Sequence, residues 1–256
     1  MKKFLYLLVG FFLGSIFIIA FKSYNEFNQQ KSQALMESEI KDVTKFILNS
    51  WNSDKFLKNF RPPQVIPVIE GSRIQGACGS SIYDIGNWDI GSSSYCDLTN
   101  TIFLVPEQLL SFKKTFGSST IGFVVAHEFA HALQQVYGVE LRGPSRELHA
   151  DCLAGMFLKS GNKKLNINRE KVLYLSEAAY AIGSSSHGSG LQRKYALLSG
   201  MGVIPSTCSP SNIFALSKGE INDKYMKELK EKKSAGRLID ISKTPFPKNF
   251  NLKYEN

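Results

Sequence analysis

His127, Glu128 and His131 form an HExxH sequence within a mostly apolar stretch, 118–137, and this pattern constrains the fold more than any other feature of the chain. Read as a helix capped by Ser118-Ser119-Thr120 and stopped by Gly138, the stretch sets its histidines one turn apart on one face, where both imidazoles can reach a single ion. Neutral imidazole is a good ligand for Zn²⁺, at about 2.0–2.1 Å. Glu128, beside the first histidine, is displaced from the ligand face but close enough to take a proton from an attacking water. A catalytic zinc needs a third protein ligand, and it must come from elsewhere. Extension of the motif along the same helix would require a glycine and a histidine where the chain has Gln134 and Tyr137.

A second helix is predicted after Gly143-Pro144-Ser145, ending near Ser160-Gly161. It carries Glu147 and Asp151 four residues apart, with both carboxylates on one face. Sixteen residues separate Glu147 from His131, enough for a turn that brings the two helices antiparallel around an ion. Glu147 is then the third ligand. Asp151 is placed to accept the second ring N–H of a ligating histidine, His127, and so to fix its tautomer.

Around these helices the patterns are mixed. Val43, Phe46, Ile47 and Trp51 recur at helical spacing, predicting a helix from 23 to about 60 that ends at Arg61-Pro62-Pro63. Strands are predicted at 65–69 and 101–105, the second closed by Pro106. Two roles are open for that second strand: edge pairing with an extended peptide, or burial in the sheet interior. Residues 71–95, rich in Gly, Ser and Asp, read as a long surface loop. Further helices are predicted from 168 to about 182 and, past a Gly/Ser loop at 183–190, up to Gly200-Met201-Gly202. Beyond Cys208 the chain reads as a polar, lysine-rich tail with one helix near 222–233.

Residues 4–21, eighteen in all, carry no charge and lie between Lys2-Lys3 and Lys22. That length is at the short end of the roughly 17–25 residues that cross a bilayer, and above the about 7–15 of a signal-peptide core. An uncleaved anchor at 1–22 is expected, with secretion after cleavage near Ile18-Ile19-Ala20 as the alternative. More lysines precede the span than follow it, so the rest of the chain should face the periplasm or the exterior. Cys78, Cys96, Cys152 and Cys208 include no CxxC pair, which argues against a zinc–thiolate site and for two disulfides in an oxidising compartment, with three connectivities open. Lysines and arginines number 31 against 22 acids, a net charge of +9, but they are scattered and read as a solvated surface. No zinc knuckle, basic strand with paired aromatics or groove-facing basic helix is present, so no nucleic-acid partner is expected.

HExxH followed by ExxxD is the pattern of the gluzincins. Ala126-His127-Glu128-Phe129-Ala130-His131-Ala132-Leu133-Gln134, with Arg146-Glu147-Leu148-His149-Ala150-Asp151-Cys152, resembles the bacterial neutral zinc metallopeptidase family. The likeness extends from Trp51 to Ser209 through Ala77-Cys78-Gly79, Tyr95-Cys96, Ser186-His187-Gly188-Ser189 and Gln192-Arg193. The chain departs from the family pattern at Ala130, where glycine is frequent, and at His149, where glutamine is common. His149, two residues from Glu147, points away from the ligand face. The resemblance implies disulfides Cys78–Cys96 and Cys152–Cys208. It also implies an α+β, zincin-like fold with a helix-dominated zinc site and a small sheet.

The expected organisation is an anchor at 1–22, a helical linker at 23–61, a zinc metallopeptidase domain at 62–209 and a tail at 210–256. The expected function is zinc-dependent hydrolysis of a peptide or protein substrate outside the cytoplasm. His127, His131 and Glu147 hold the metal, Glu128 is the general base, and His187 is the candidate oxyanion donor. His187 as a loop residue in solvent is the competing reading. Arg193 is the candidate partner for a substrate carboxylate, against a salt-bridged surface residue. The alternative from another class is a non-catalytic, disulfide-stapled envelope protein that uses zinc only to hold its helices together.

Overall fold

The computed structural model describes residues 36–68, 73–75, 82–84 and 92–232, with single helical residues at 30, 31 and 34. The expected anchor at 1–22, Cys78 and the end of the tail at 233–256 lie outside the described residues. Among the described residues no helix is long and apolar enough to cross a membrane. The chain divides into two compact units, Met1–Ser38 and Glu39–Asn256, and the elements described below lie in the second apart from residues 36–38.

Helix α1 (36–53) buries Val43, Ile47 and Trp51 of the stripe its spacing predicts, while Phe46 is only half-buried. It stops well short of the proline pair, and a short 3-10 turn, Leu57–Asn59, fills the gap. Strands β1 (Gln64–Pro67), β2 (Arg73–Gln75), β3 (Ile82–Asp84), β4 (Ser94–Cys96) and β5 (Thr101–Leu104) follow. Their order is β1-β5-β4, with β5 parallel to β1 and antiparallel to β4. The remaining two form an antiparallel pair, so part of the expected surface loop at 71–95 is sheet. β5 is bonded on both edges, and Ile102, Phe103 and Leu104 are all buried. This closes the peptide edge-pairing role for that strand: its backbone groups already have partners.

The rest is helical: α2 (Pro106–Phe116), α3 (Ser119–Val136), α4 (Pro144–Ser160), α5 (Arg169–Ala181), α6 (Gly190–Gly200), α7 (Pro210–Ser217) and α8 (Lys224–Lys232). The fold is thus helix-rich α+β with a small three-stranded sheet. α2 was not expected, because Pro106 read as a strand terminator; proline is equally suited to the first turn of a helix, where its missing N–H has no partner to lose. α3 is buried at every position from Ser119 to Gln134, as befits a central helix that meets neighbours on all sides. Its expected cap is absent: Ser118 has helical dihedrals, while Thr120 Oγ1 donates to the Gly117 carbonyl at 2.7 Å.

α4 packs against α3 on one side and α6 on the other. The second contact is backbone to backbone. A Cβ placed on Gly200 would lie 1.8 Å from the Cys152 carbonyl oxygen, and one on Gly155 would lie 2.5 Å from that of Leu197. Only glycine permits this approach. The Cys152–Cys208 disulfide joins α4 to the segment before α7, as the resemblance implied. Cys96 is also disulfide-bonded, while its expected partner Cys78 is outside the described residues.

The segment after 209, read from the sequence as a polar tail, carries buried side chains. α7 and α8 bury Ile213, Leu216, Met226 and Leu229, and Tyr195 donates to Asp223 at 2.5 Å. Their polar composition concealed two short apolar pairs at three-residue spacing, too few to register against so many lysines.

Candidate metal centre

α3 and α4 are joined by a seven-residue turn, 137–143, that contains Gly138 and Gly143, both at positive φ (62° and 55°). These left-handed conformations, which suit glycine, reverse the chain and lay the ligand face of α4 against that of α3. His127 and His131 lie side by side with ring centroids 4.8 Å apart. Glu147 Oε2 sits between them, 3.2 Å from His127 Nε2 and 3.6 Å from His131 Nε2. Ligand atoms of these three residues all fall within 4.8 Å of one another.

The second nitrogen of each ring is held from behind. His127 Nδ1 donates to Asp151 Oδ1 at 2.8 Å, the partnership predicted from the spacing of the acidic pair. His131 Nδ1 lies 2.8 Å from Gln134 Oε1. A carboxylate and an amide oxygen can only accept, so each ring carries a proton on Nδ1, and the inward-facing Nε2 is the nitrogen left to meet a metal. Two imidazoles and one carboxylate, converging with their outer atoms restrained, fit a divalent metal such as zinc.

Without a metal, the same carboxylates favour a charged His127, whose Nε2–H then faces Glu147 Oε2 at 3.2 Å. Burial alone would lower the His127 pKa, but Asp151 and Glu147 push it up to about 10. Burial would raise the Glu147 carboxyl, yet His127 and His131 hold it well below the usual carboxylate range. Glu128 is buried and its carboxyl is pushed up by desolvation, against the pull of the two histidines. Three carboxylates (Glu128, Glu147 and Asp151) face one guanidinium here, so the pocket attracts positive charge.

Arg193 is the residue whose place differs most from expectation. It is 3% exposed, and its Nε and Nη2 reach Asp151 Oδ2 and Oδ1, each at 2.8 Å. Its third contact is the Ile182 carbonyl at 3.3 Å. With its fork closed on Asp151 it holds that carboxylate ionised, well below its ordinary range despite complete burial, and does not face outward to a substrate. Nor is it the salt-bridged surface residue of the competing reading: the ion pair is real, but it is buried.

His187 does come to the site. Its Nε2 is 3.9 Å from Glu147 Oε2, its side chain is 41% exposed, and its Nδ1 is held by the hydroxyls of Ser186 and Ser184 at 2.8 and 3.0 Å. It therefore stands at the rim, between the ligands and solvent. His149 points away from the ligands, as expected, and is fully buried with its Nδ1 3.0 Å from Gln134 Nε2. Burial pushes it down to about 4, opposed by the Cys208 backbone and assisted by His131.

Gln134 and His149 are the contributors that sequence reasoning did not assign. A signal existed for the first: it lies three residues after His131 and so shares its face. Comparison with protein-family models, with curated proteins and with solved structures finds no match to this chain.

Proposed function

We propose that this chain is a zinc-dependent peptidase, held at a membrane by its N-terminal segment and acting outside the cytoplasm. One observation carries the reading: two Nε2 atoms and the Glu147 carboxylate converge on one point, with both Nδ1 atoms hydrogen-bonded behind them. Zinc bound by His127, His131 and Glu147 would supply Lewis-acid polarisation of a carbonyl and lower the pKa of water to about 7. Glu128 takes the proton of the attacking water and later delivers it to the leaving amine. His187, at the open rim, donates from Nε2 to the oxyanion that develops at the scissile carbonyl. The Cys152–Cys208 disulfide supports an oxidising compartment.

The test is zinc content and peptide hydrolysis by the full chain, beside Glu147→Ala and Glu128→Gln. One zinc per chain in the parent, little in Glu147→Ala, and a zinc-loaded but inactive Glu128→Gln are expected. Zinc retained by Glu147→Ala would remove the ligand assignment. Zinc in the parent without hydrolysis of any peptide library would favour the structural-zinc alternative. Against that alternative stands the exposed side of the site at His187, since a purely structural ion is normally enclosed by its four ligands.

A further inference from the structure

A metal-binding imidazole works only in one tautomer, because the wrong one presents a proton to the metal. Asp151 settles the choice for His127 unconditionally, since a carboxylate cannot donate. An amide is ambiguous. Turned end for end, Gln134 would offer N–H to His131 and favour the unproductive tautomer.

Two groups on α4 remove that freedom. The Arg146 carbonyl oxygen lies 2.7 Å from Gln134 Nε2 and can only accept. His149 Nδ1 lies 3.0 Å from the same nitrogen. Reversing the amide would set its oxygen against the Arg146 oxygen and leave His149 facing no donor of the amide. With the amide held as it is, His149 accepts at Nδ1 and carries its own proton on Nε2. That Nε2 is buried and, among the described residues, has no hydrogen-bond partner, although the Cys208 backbone is nearby.

On the metal-site reading above, we infer that Gln134 and His149 are positioning residues: together they lock His131 with its proton on Nδ1 and its bare Nε2 toward His127 and Glu147. Neither touches the metal or the substrate. The relay runs from α3 to α4, so it also ties the ligating ring of one helix to the helix that supplies Glu147.

The full chain, labelled with ¹⁵N-histidine and stripped of metal, tests this directly, because its four histidines give a tractable long-range ¹H–¹⁵N spectrum. His131 is expected to carry a proton on Nδ1, and His149 on Nε2. A bare His131 Nδ1 would overturn the inference whether or not the protein binds zinc. Gln134→Leu should weaken zinc binding about 10–100-fold in chelator competition. Parental affinity in Gln134→Leu overturns the relay while leaving the peptidase reading intact. Should Gln134→Leu not fold, His149→Phe preserves the ring and removes only the acceptor. Mixed tautomers at His131 are expected there, and one unchanged tautomer would exclude His149 from the relay. A parent that takes up no zinc defeats the metal reading but not the relay, whose spectroscopic signature needs no metal.

Discussion

His127 and His131 lie one turn apart on the same helix, yet they are held by opposite kinds of chemistry. Behind His127 stands a charged arm: Asp151, fully buried, clamped by Arg193 from α6. Behind His131 stands a neutral arm, Gln134 with His149. The charged arm draws on three helices and on the backbone contact at Gly155 and Gly200. The neutral arm needs only α3, α4 and the start of α4 at Arg146. The difference teaches that one site can combine a long-range, high-stakes restraint with a local, low-stakes one. A buried charge must keep its partner or cost several kcal/mol, whereas a neutral amide that loses one bond costs far less.

The largest expected effect comes from breaking the charged arm. Arg193→Met leaves Asp151 buried with only His127 beside it, and Asp151→Asn leaves the guanidinium unpaired. Each should destabilise the protein by about 3–5 kcal/mol in urea unfolding, and the double variant by clearly less than the sum. Additive losses would mean that the two side chains do not act as a pair.

Next in size is an indirect attack on the same arm. Gly200→Ala drives a methyl into the Cys152 carbonyl, so α6 must move away from α4 and carry Arg193 with it. A loss of about 3 kcal/mol is expected, at the upper end for overpacking because the obstacle is backbone. The Nδ1 proton on His131 should survive this substitution in the histidine spectrum while that on His127 is perturbed. Equal perturbation of both would dissolve the distinction between the arms.

The neutral arm should respond more weakly. The tenfold to hundredfold fall in zinc affinity expected for Gln134→Leu corresponds to about 1.4–2.7 kcal/mol. A loss as large as that from Arg193→Met would show that charge is not what separates the two.

The smallest effect is set by pH. Tyr195, two residues after Arg193 on α6, has its phenol pushed up to about 12 by burial and by its hydrogen bond to Asp223. The folded state therefore holds this proton more tightly than the unfolded chain. The tie stabilises fully below the ordinary phenol pKa near 10, and its contribution is lost as pH rises through about 12. A decline of about 1–2 kcal/mol between those values is expected in alkaline unfolding, and it should be missing from Tyr195→Phe. An unchanged slope in that variant would show that Tyr195 does not tie α6 down.

Several of these features were legible along the chain because they are repeats of backbone geometry. Residues four apart on a helix must share a face, so the pairing of His127 with His131 and of Glu147 with Asp151 needed no tertiary information. Gln134 was equally close in sequence but carries no distinctive chemistry until its amide is seen between three fixed groups. Arg193 lies 42 residues from Asp151, and nothing in its local pattern separates it from a solvated arginine. The proline that begins α2 has two local meanings, strand stop and helix start, and only the chain beyond it decides between them.

By itself, then, the sequence determined the candidate ligands, the acceptor behind His127 and most of the helices around them. Each of these follows from spacing within one or two consecutive helices. The tertiary structure alone decided that Arg193 faces inward to Asp151, that β5 is an interior strand, that α7 and α8 belong to the core, and that His149 stands behind Gln134. Those outcomes depend on which surfaces meet, and the closest meeting, α4 on α6, exists because two glycines let the backbones touch.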